Sequence, residues 1–220
     1  MTFTPRLDVL PDAQRALWPA LSDIPDSCVL YGGTALALRL GHRTSVDFDF
    51  FSSVTVDFDA LFTLSFAADA EVLQRTPDAL TFSTPQPGAT YPIRISFFGG
   101  IDIGRVGTPE RTADDVLQVA SLLDLFGTKL KVLLQRVAAK DYLDLAAILR
   151  SGASLEDGLG AAAALYGNRF PPLDAVKALA YFDEGDAANV DAATRLYLSE
   201  QAANWNFKVS AITRASDALA

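Results

Sequence analysis

Asp47 and Asp49, two positions apart in "SVDFDFF", are the residues whose types and spacing most directly suggest chemistry. The segment alternates, with Val46, Phe48 and Phe50 on one side and Asp47, Asp49 and Phe51 on the other, which is the period of a β-strand. Both carboxylates then leave the same face about 7 Å apart at the backbone. They can lean together around a shared cation. Mg²⁺ takes a few carboxylates plus substrate phosphates, and paired ions roughly 4 Å apart clamp both sides of a phosphoryl displacement. The other reading is an edge strand with a solvated outer face, where alternate aspartates are ordinary. Asp is disfavoured in strands, however, and here it sits among Phe48, Phe50 and Phe51.

Upstream, "SCVLY" reads as a short strand closed by Gly32-Gly33, and "TALALRL" as a helix ended by Gly41. Glycines at a strand-to-helix turn let the backbone approach a phosphate, and the helix start offers free N–H groups. Thr34 either caps that helix or places its hydroxyl on a phosphate oxygen. A glycine turn followed by a carboxylate pair on the next strand makes a phosphate cradle facing a metal site.

Composition excludes several alternatives. There is one histidine, His42, and one cysteine, Cys28, so a Cys/His zinc site cannot be assembled and no internal disulfide can form. Cys28 lies beside Val29 and Leu30 and reads as a buried, inert thiol of a cytoplasmic protein. The formal charge of −9 argues against non-specific nucleic-acid affinity but leaves room for a local basic patch. No apolar run reaches the roughly 18 residues of a membrane helix, and the start "MTFTPRLDVLPDAQ" lacks a signal-peptide pattern.

Along the chain, "LPDAQRALWPALSDI" and "DFDALFTLSFAADA" read as helices. "EVLQRTPDALTFST" and "YPIRISFFGG" read as strands around the loop "PQPGAT". From residue 114 the pattern becomes helix after helix, with Pro171-Pro172 starting one of them. The expected fold is α/β (α+β), a small mixed sheet over residues 1–113 followed by a helical C-terminal region over 114–220.

Gly-Gly, a short helix and then Asp-x-Asp on a strand resembles the nucleotidyltransferase fold shared with DNA polymerase β. More closely, "GGTALALRLGHRTSVDFDFF" with "KLKVLLQRVAAKDYLDL" resembles the AbiEii/AbiGii toxin family, nucleotidyltransferase-like proteins found in toxin–antitoxin pairs. The resemblance implies that Gly32, Gly33 and Thr34 form a phosphate-binding turn and that Asp47 and Asp49 bind metal. Lys129, Arg136, Lys140, Asp141 and Asp144 match the family's second catalytic block. Arg39, His42 and Arg43 lie in the "GHR" loop context, either as substrate contacts or as an exposed basic cluster. It further implies Mg²⁺, an NTP substrate, an RNA (tRNA) acceptor and a cognate antitoxin partner.

The second block has its own logic. As one helix over 129–144, Lys129, Arg136 and Lys140 would fall within about 40° of one another, a basic stripe suited to triphosphate or RNA. Asp141 would then sit in the apolar stripe of Leu130, Leu134, Val137 and Leu145, needing a partner such as Arg39 or Arg43. The other reading is a break near Ala138–Ala139, with Asp141 exposed and Lys140–Asp144 a surface pair.

Polymerase-type transferases carry a third carboxylate on a later strand, and here the matching residue in "IRISFF" is Ser96. Serine supplies neither a negative ligand nor a base at neutral pH. Asp102 follows a Gly-Gly turn, and His42 or Asp144 are other candidates for assistance. The expected function is transfer of a nucleoside monophosphate from an NTP to a hydroxyl. The alternatives are a non-catalytic binding module of the same fold and an antibiotic-type small-molecule transferase.

Overall fold

The structure, a computed structural model, describes residues 2–85 and 92–220. The chain forms two compact units: 1–104 with 108–121 and 216–220, and 105–107 with 122–215.

The first unit carries β1 (Thr2–Phe3), α1 (Asp12–Leu17), β2 (Val29–Tyr31), α2 (Gly32–Leu40), β3 (Phe48–Phe51) and α3 (Phe58–Leu61). It continues with β4 (Glu71–Arg75), β5 (Ala79–Thr84), β6 (Ile93–Phe98), β7 (Glu110–Thr112) and β8 (Gln118–Val119). These strands form one eight-stranded mixed sheet in the order β1-β7-β8-β2-β3-β6-β5-β4. β3 is therefore an interior strand, antiparallel to β2 and parallel to β6, and the edge-strand reading of Asp-x-Asp fails.

One face of the central strands is closed by aromatic contact. Phe50 stacks on Phe97 at 5.1 Å between ring centres, Phe97 reaches Phe82 at 6.2 Å, and Phe48, Phe50, Phe82 and Phe97 are all buried. Rings at these spacings add packing beyond area burial and pin neighbouring strands in register. α2 ends at Gly41, which takes φ 65°, the left-handed conformation glycine adopts without strain.

Several elements differ from expectation. "EVLQRTPDALTFST" is a hairpin rather than one strand, because Thr76 and Ala79 close a turn through Pro77-Asp78. The helix expected over "DFDALFTLSFAADA" shortens to α3, capped by Asp57, and a separate 3₁₀ turn at Ser65–Ala67. β7 and β8 are too short for alternation to show, and they carry the first unit past residue 113 to 121. The loop expected at "PQPGAT" lies, from Gln86 onward, outside the described residues.

The second unit consists of α4 (Leu122–Leu133), α5 (Ala139–Arg150), α6 (Leu155–Tyr166), α7 (Pro172–Leu179) and α8 (Ala192–Ala203). Pro172 occupies the first turn of α7, and Ser154 and Asp191 cap α6 and α8 through the N–H groups of Asp157 and Thr194. Asp124 in α4 is buried and accepts from the Val106 and Gly107 N–H groups at 2.7 and 3.0 Å, which attaches residues 105–107 to this unit. No helix among the described residues is long and apolar enough to cross a membrane.

α4 and α6 cross at Gly127, where an added Cβ would lie 2.9 Å from the Ala162 backbone nitrogen. Gly127→Ala is therefore expected to destabilise the helical unit by about 1–3 kcal/mol, the usual cost of overpacking against backbone. Urea unfolding followed by far-UV circular dichroism checks this; an unchanged midpoint would contradict the close crossing.

Candidate active site

The candidate site is built on the second face of β2, β3 and β6. Tyr31 lies opposite Asp49, and Asp49 opposite Ser96. Partners across a ladder share a face, so Tyr31, Asp49 and Ser96 form one row, with Thr81 of β5 next in line. The adjacent row stacks Tyr31 on Phe51 at 4.8 Å and sets Phe51 edge-on to Phe98 at 5.3 Å. Aromatic rings on both faces of β3 thus fix where Asp49 emerges.

Asp47 lies one residue before β3, and continuing the β3–β6 register places Arg94 beside it. The Arg94 Nη2 donates to Asp47 Oδ2 at 2.5 Å, with side chains 52% and 27% exposed. The hydrogen bond and charge of Asp47, with a further contribution from Asp49, hold the Arg94 guanidinium above its ordinary pKa. Arg94 was not anticipated from the sequence. Its signal was present: it stands two residues before Ser96 on a strand and so shares that residue's face. Val46, expected to share a face with Phe48 and Phe50, is 48% exposed where those two are buried, because the strand begins only at Phe48.

Gly32 is the first residue of α2 and takes φ 73°. A Cβ there would lie 2.9 Å from Asp49 Oδ2, so glycine both permits the turn and leaves room beside the carboxylate. Gly33 follows within the first turn, whose N–H groups have no partner inside the helix. Thr34 takes neither role expected of it. Its buried hydroxyl donates to the Asp47 carbonyl and is 2.8 Å from Ser45 Oγ, tying the start of α2 to the chain entering β3.

Arg39 is a structural brace. It donates to the Ala120 and Val119 carbonyls at 2.9 and 3.2 Å, pairs with Glu110 at 2.5 Å and stacks over the Phe3 ring. That commits the guanidinium to β1, β7 and β8 rather than to a substrate. His42 and Arg43 are half-buried in the loop between α2 and β3, where Arg43 donates to the Thr44 carbonyl at 3.0 Å. Cys28 is buried, and burial pushes its thiol up to about 11, so it is inert as its apolar neighbours imply.

Ser96 is buried in the row beside Asp49 and accepts from the Thr81 hydroxyl at 3.2 Å. Asp102 does not replace it. The preceding Ile101 N–H bonds to the Ser52 carbonyl, so Asp102 follows a segment that pairs beyond the end of β3 rather than in the row of Asp49 and Ser96.

The second block belongs to the helical unit. The helix does break, with α4 ending at Leu133 and α5 starting at Ala139, so Lys129, Arg136 and Lys140 form no single-helix stripe. Yet Asp141 is fully buried, contrary to the expectation attached to that break. Its partners are Lys129 at 2.7 Å and Arg136, whose Nε and Nη2 reach it at 2.8 and 3.1 Å, rather than Arg39 or Arg43. Lys129 also pairs with buried Asp144 at 2.6 Å. Lys140 is exposed and the Arg136 side chain is 52% exposed. Sequence spacing missed this cluster because the turn over residues 134–138 folds Arg136 and Lys129 onto the first turn of α5.

Among the described residues, no three His, Cys, Asp or Glu side chains converge on one point. The donors of the first unit are two carboxylates with space kept clear by Gly32 beside one of them. Hard oxygen donors in that number fit Mg²⁺, which keeps waters and phosphates as its remaining ligands. Asp47 and Asp49 would hold it.

Solved structures share this fold. A protein from H. pylori described as a putative nucleotidyltransferase aligns at TM-score 0.58 with 17% identity, covering 87% of this chain and 90% of that one. JHP933 from Helicobacter pylori gives 0.52 at 18% identity over 87% and 88% of the two chains. MenT4, a nucleotidyltransferase toxin from Mycobacterium tuberculosis H37Rv, gives 0.55 at 15% identity over 87% and 81%. The fold is thus that of nucleotidyltransferases. An uncharacterized protein from Aquifex aeolicus (strain VF5) is 34% identical over 125 residues, a stretch covering 55% of this chain and 57% of that protein. The family model described as nucleotidyl transferase AbiEii toxin, type IV TA system, matches residues 15–218, and the chain belongs to that family.

Asp141 sets a pH dependence. Burial pushes its carboxyl up, but hydrogen bonds from Arg136 and Lys129 and their charges outweigh this and hold it below the ordinary carboxylate range. Its contribution to stability is complete above a pH of about 4 and is lost as pH falls through the lowered native value. Asp141→Asn is expected to cost about 3 kcal/mol near neutrality. The gap from wild type should narrow as pH drops below about 4. Urea midpoints measured across pH check both; a gap independent of pH would contradict an ionised Asp141.

Proposed function

We propose that the protein transfers a nucleoside monophosphate from an NTP to a hydroxyl of an RNA acceptor such as tRNA, releasing pyrophosphate, as the toxin of a toxin–antitoxin pair. The observation that carries this reading is the placement of Asp49 on an interior strand, with Asp47 one residue before it and the Asp49 carboxylate against the Gly32 turn of α2. Family membership supports the nucleotidyl transferase class and a toxin role with an antitoxin partner.

The chain's own residues would act mainly by positioning and charge, as phosphoryl transfers require. Gly32 and Gly33 bring backbone N–H groups and the positive end of α2 to the β- and γ-phosphates. Asp47 and Asp49 present the anionic oxygens that hold Mg²⁺. Bound Mg²⁺ supplies neutralisation of phosphate charge and orientation of the leaving group. Thr34 acts indirectly, fixing the Asp47 backbone through its hydroxyl. In the second block, Arg136 and Lys140 carry the solvent-facing positive charge, while Lys129 joins α4 to α5 through Asp141 and Asp144.

Ser96 favours a second reading, a nucleotide-binding module without chemistry, since the row beside Asp49 holds a hydroxyl where a third carboxylate would supply a base. The two are separated by incubating purified protein with Mg²⁺, each NTP labelled at the α-phosphate, and total cellular RNA. The expected result is label on RNA, lost in Asp47→Asn and in Asp49→Asn while their circular dichroism stays unchanged. Nucleotide binding without labelled product would support the module, and label on a small molecule would replace RNA as acceptor.

A further inference from the structure

Arg94 stands outside every motif used so far, yet its guanidinium donates to the Asp47 carboxylate of the pair. We propose that Arg94 is the resident counter-ion of that pair and a nucleotide-contacting residue, yielding Asp47 to a divalent cation and turning onto the nucleotide's phosphates. This rests on the reading of the site given above.

Three observations support the exchange. Arg94 lies on β6 in the register position opposite Asp47 and shares the face of Ser96 and Asp49, so its guanidinium is a cation placed where a metal ion would sit. The pair is also exposed, with the Arg94 side chain 52% accessible, and ion pairs in that setting are individually weak and readily displaced. Another arginine of this unit considered for substrate contact is built differently: Arg39 is 9% exposed and held by three polar partners and a ring. Finally, the planar guanidinium fork matches a phosphate as well as a carboxylate, so a released Arg94 meets its next anion in the incoming nucleotide.

The exchange predicts opposite effects from one substitution. In Arg94→Gln, Mn²⁺ binding without nucleotide, read from the paramagnetic resonance of free Mn²⁺, is expected to tighten about three-fold because a competitor is gone. The Kd of a non-hydrolysable NTP in the presence of Mn²⁺ is expected to rise about ten-fold, with Arg94→Lys recovering part of it. Unchanged values for both would overturn the proposal. Weakening of both together would also overturn it, reducing Arg94 to a strut that holds Asp47 in place. A Kd for Mn²⁺ that is measurable in wild type, lost in Asp47→Asn and unmoved in Arg94→Gln would leave the metal site standing and overturn Arg94's part. Absence of Mn²⁺ binding in wild type would overturn the metal reading itself, and the proposal with it.

Discussion

Two carboxylates on one face of a strand repel each other until a cation meets them. At about 7 Å and an effective dielectric of 20 the repulsion is about 2 kcal/mol, enough to matter in a domain of ordinary stability. The chain places Asp49 under this constraint on an interior strand, with Asp47 one residue before it, so Asp49 has no sheet edge from which to splay into solvent. The first unit answers it with an exposed, exchangeable arginine. The helical unit meets the same problem at Asp141 and Asp144 and answers it with Lys129 and Arg136 around fully buried carboxylates. One cluster pairs through an exposed arginine, and the other holds two helices together.

The geometry of the open cluster depends on strand register. A slip of one residue would send Asp49 to the phenylalanine face and Phe50 to the polar one. The stacks Phe50–Phe97 and Tyr31–Phe51 oppose such a slip from opposite faces of β3. The Thr34 hydroxyl then fixes the chain just before the strand, and the absence of a Cβ at Gly32 lets the helix start approach the carboxylate. A glycine turn, a threonine and a strand pattern that look independent in sequence are parts of one positioning device.

Much of this was legible in the sequence for physical reasons. Alternation at 46–51 marked a strand and its polar face, and Gly32 and Gly41 bracketed α2 because both take positive φ. The run of helices from residue 114 was visible, though whether Leu122–Arg150 held one helix or two stayed open until the turn over residues 134–138 divided it. What escaped was non-local. β7 and β8 are defined by pairing rather than pattern, so Arg39 looked like a surface cation when it is a brace for those strands. Arg94 acquires meaning only once β6 lies parallel to β3, and Asp141 only once the turn before α5 returns Arg136 to it.

The central claim is that Asp47, Asp49 and the start of α2 receive a divalent cation and a nucleoside triphosphate together. The most direct test is a crystal structure with Mn²⁺ and a non-hydrolysable NTP, using anomalous scattering to locate the metal. The account predicts a Mn²⁺ peak shared by the Asp47 and Asp49 carboxylates, with the phosphates against the N–H groups of Gly32 and Gly33. Nucleotide bound away from α2, or Mn²⁺ on other residues with the carboxylate pair bare, would contradict it.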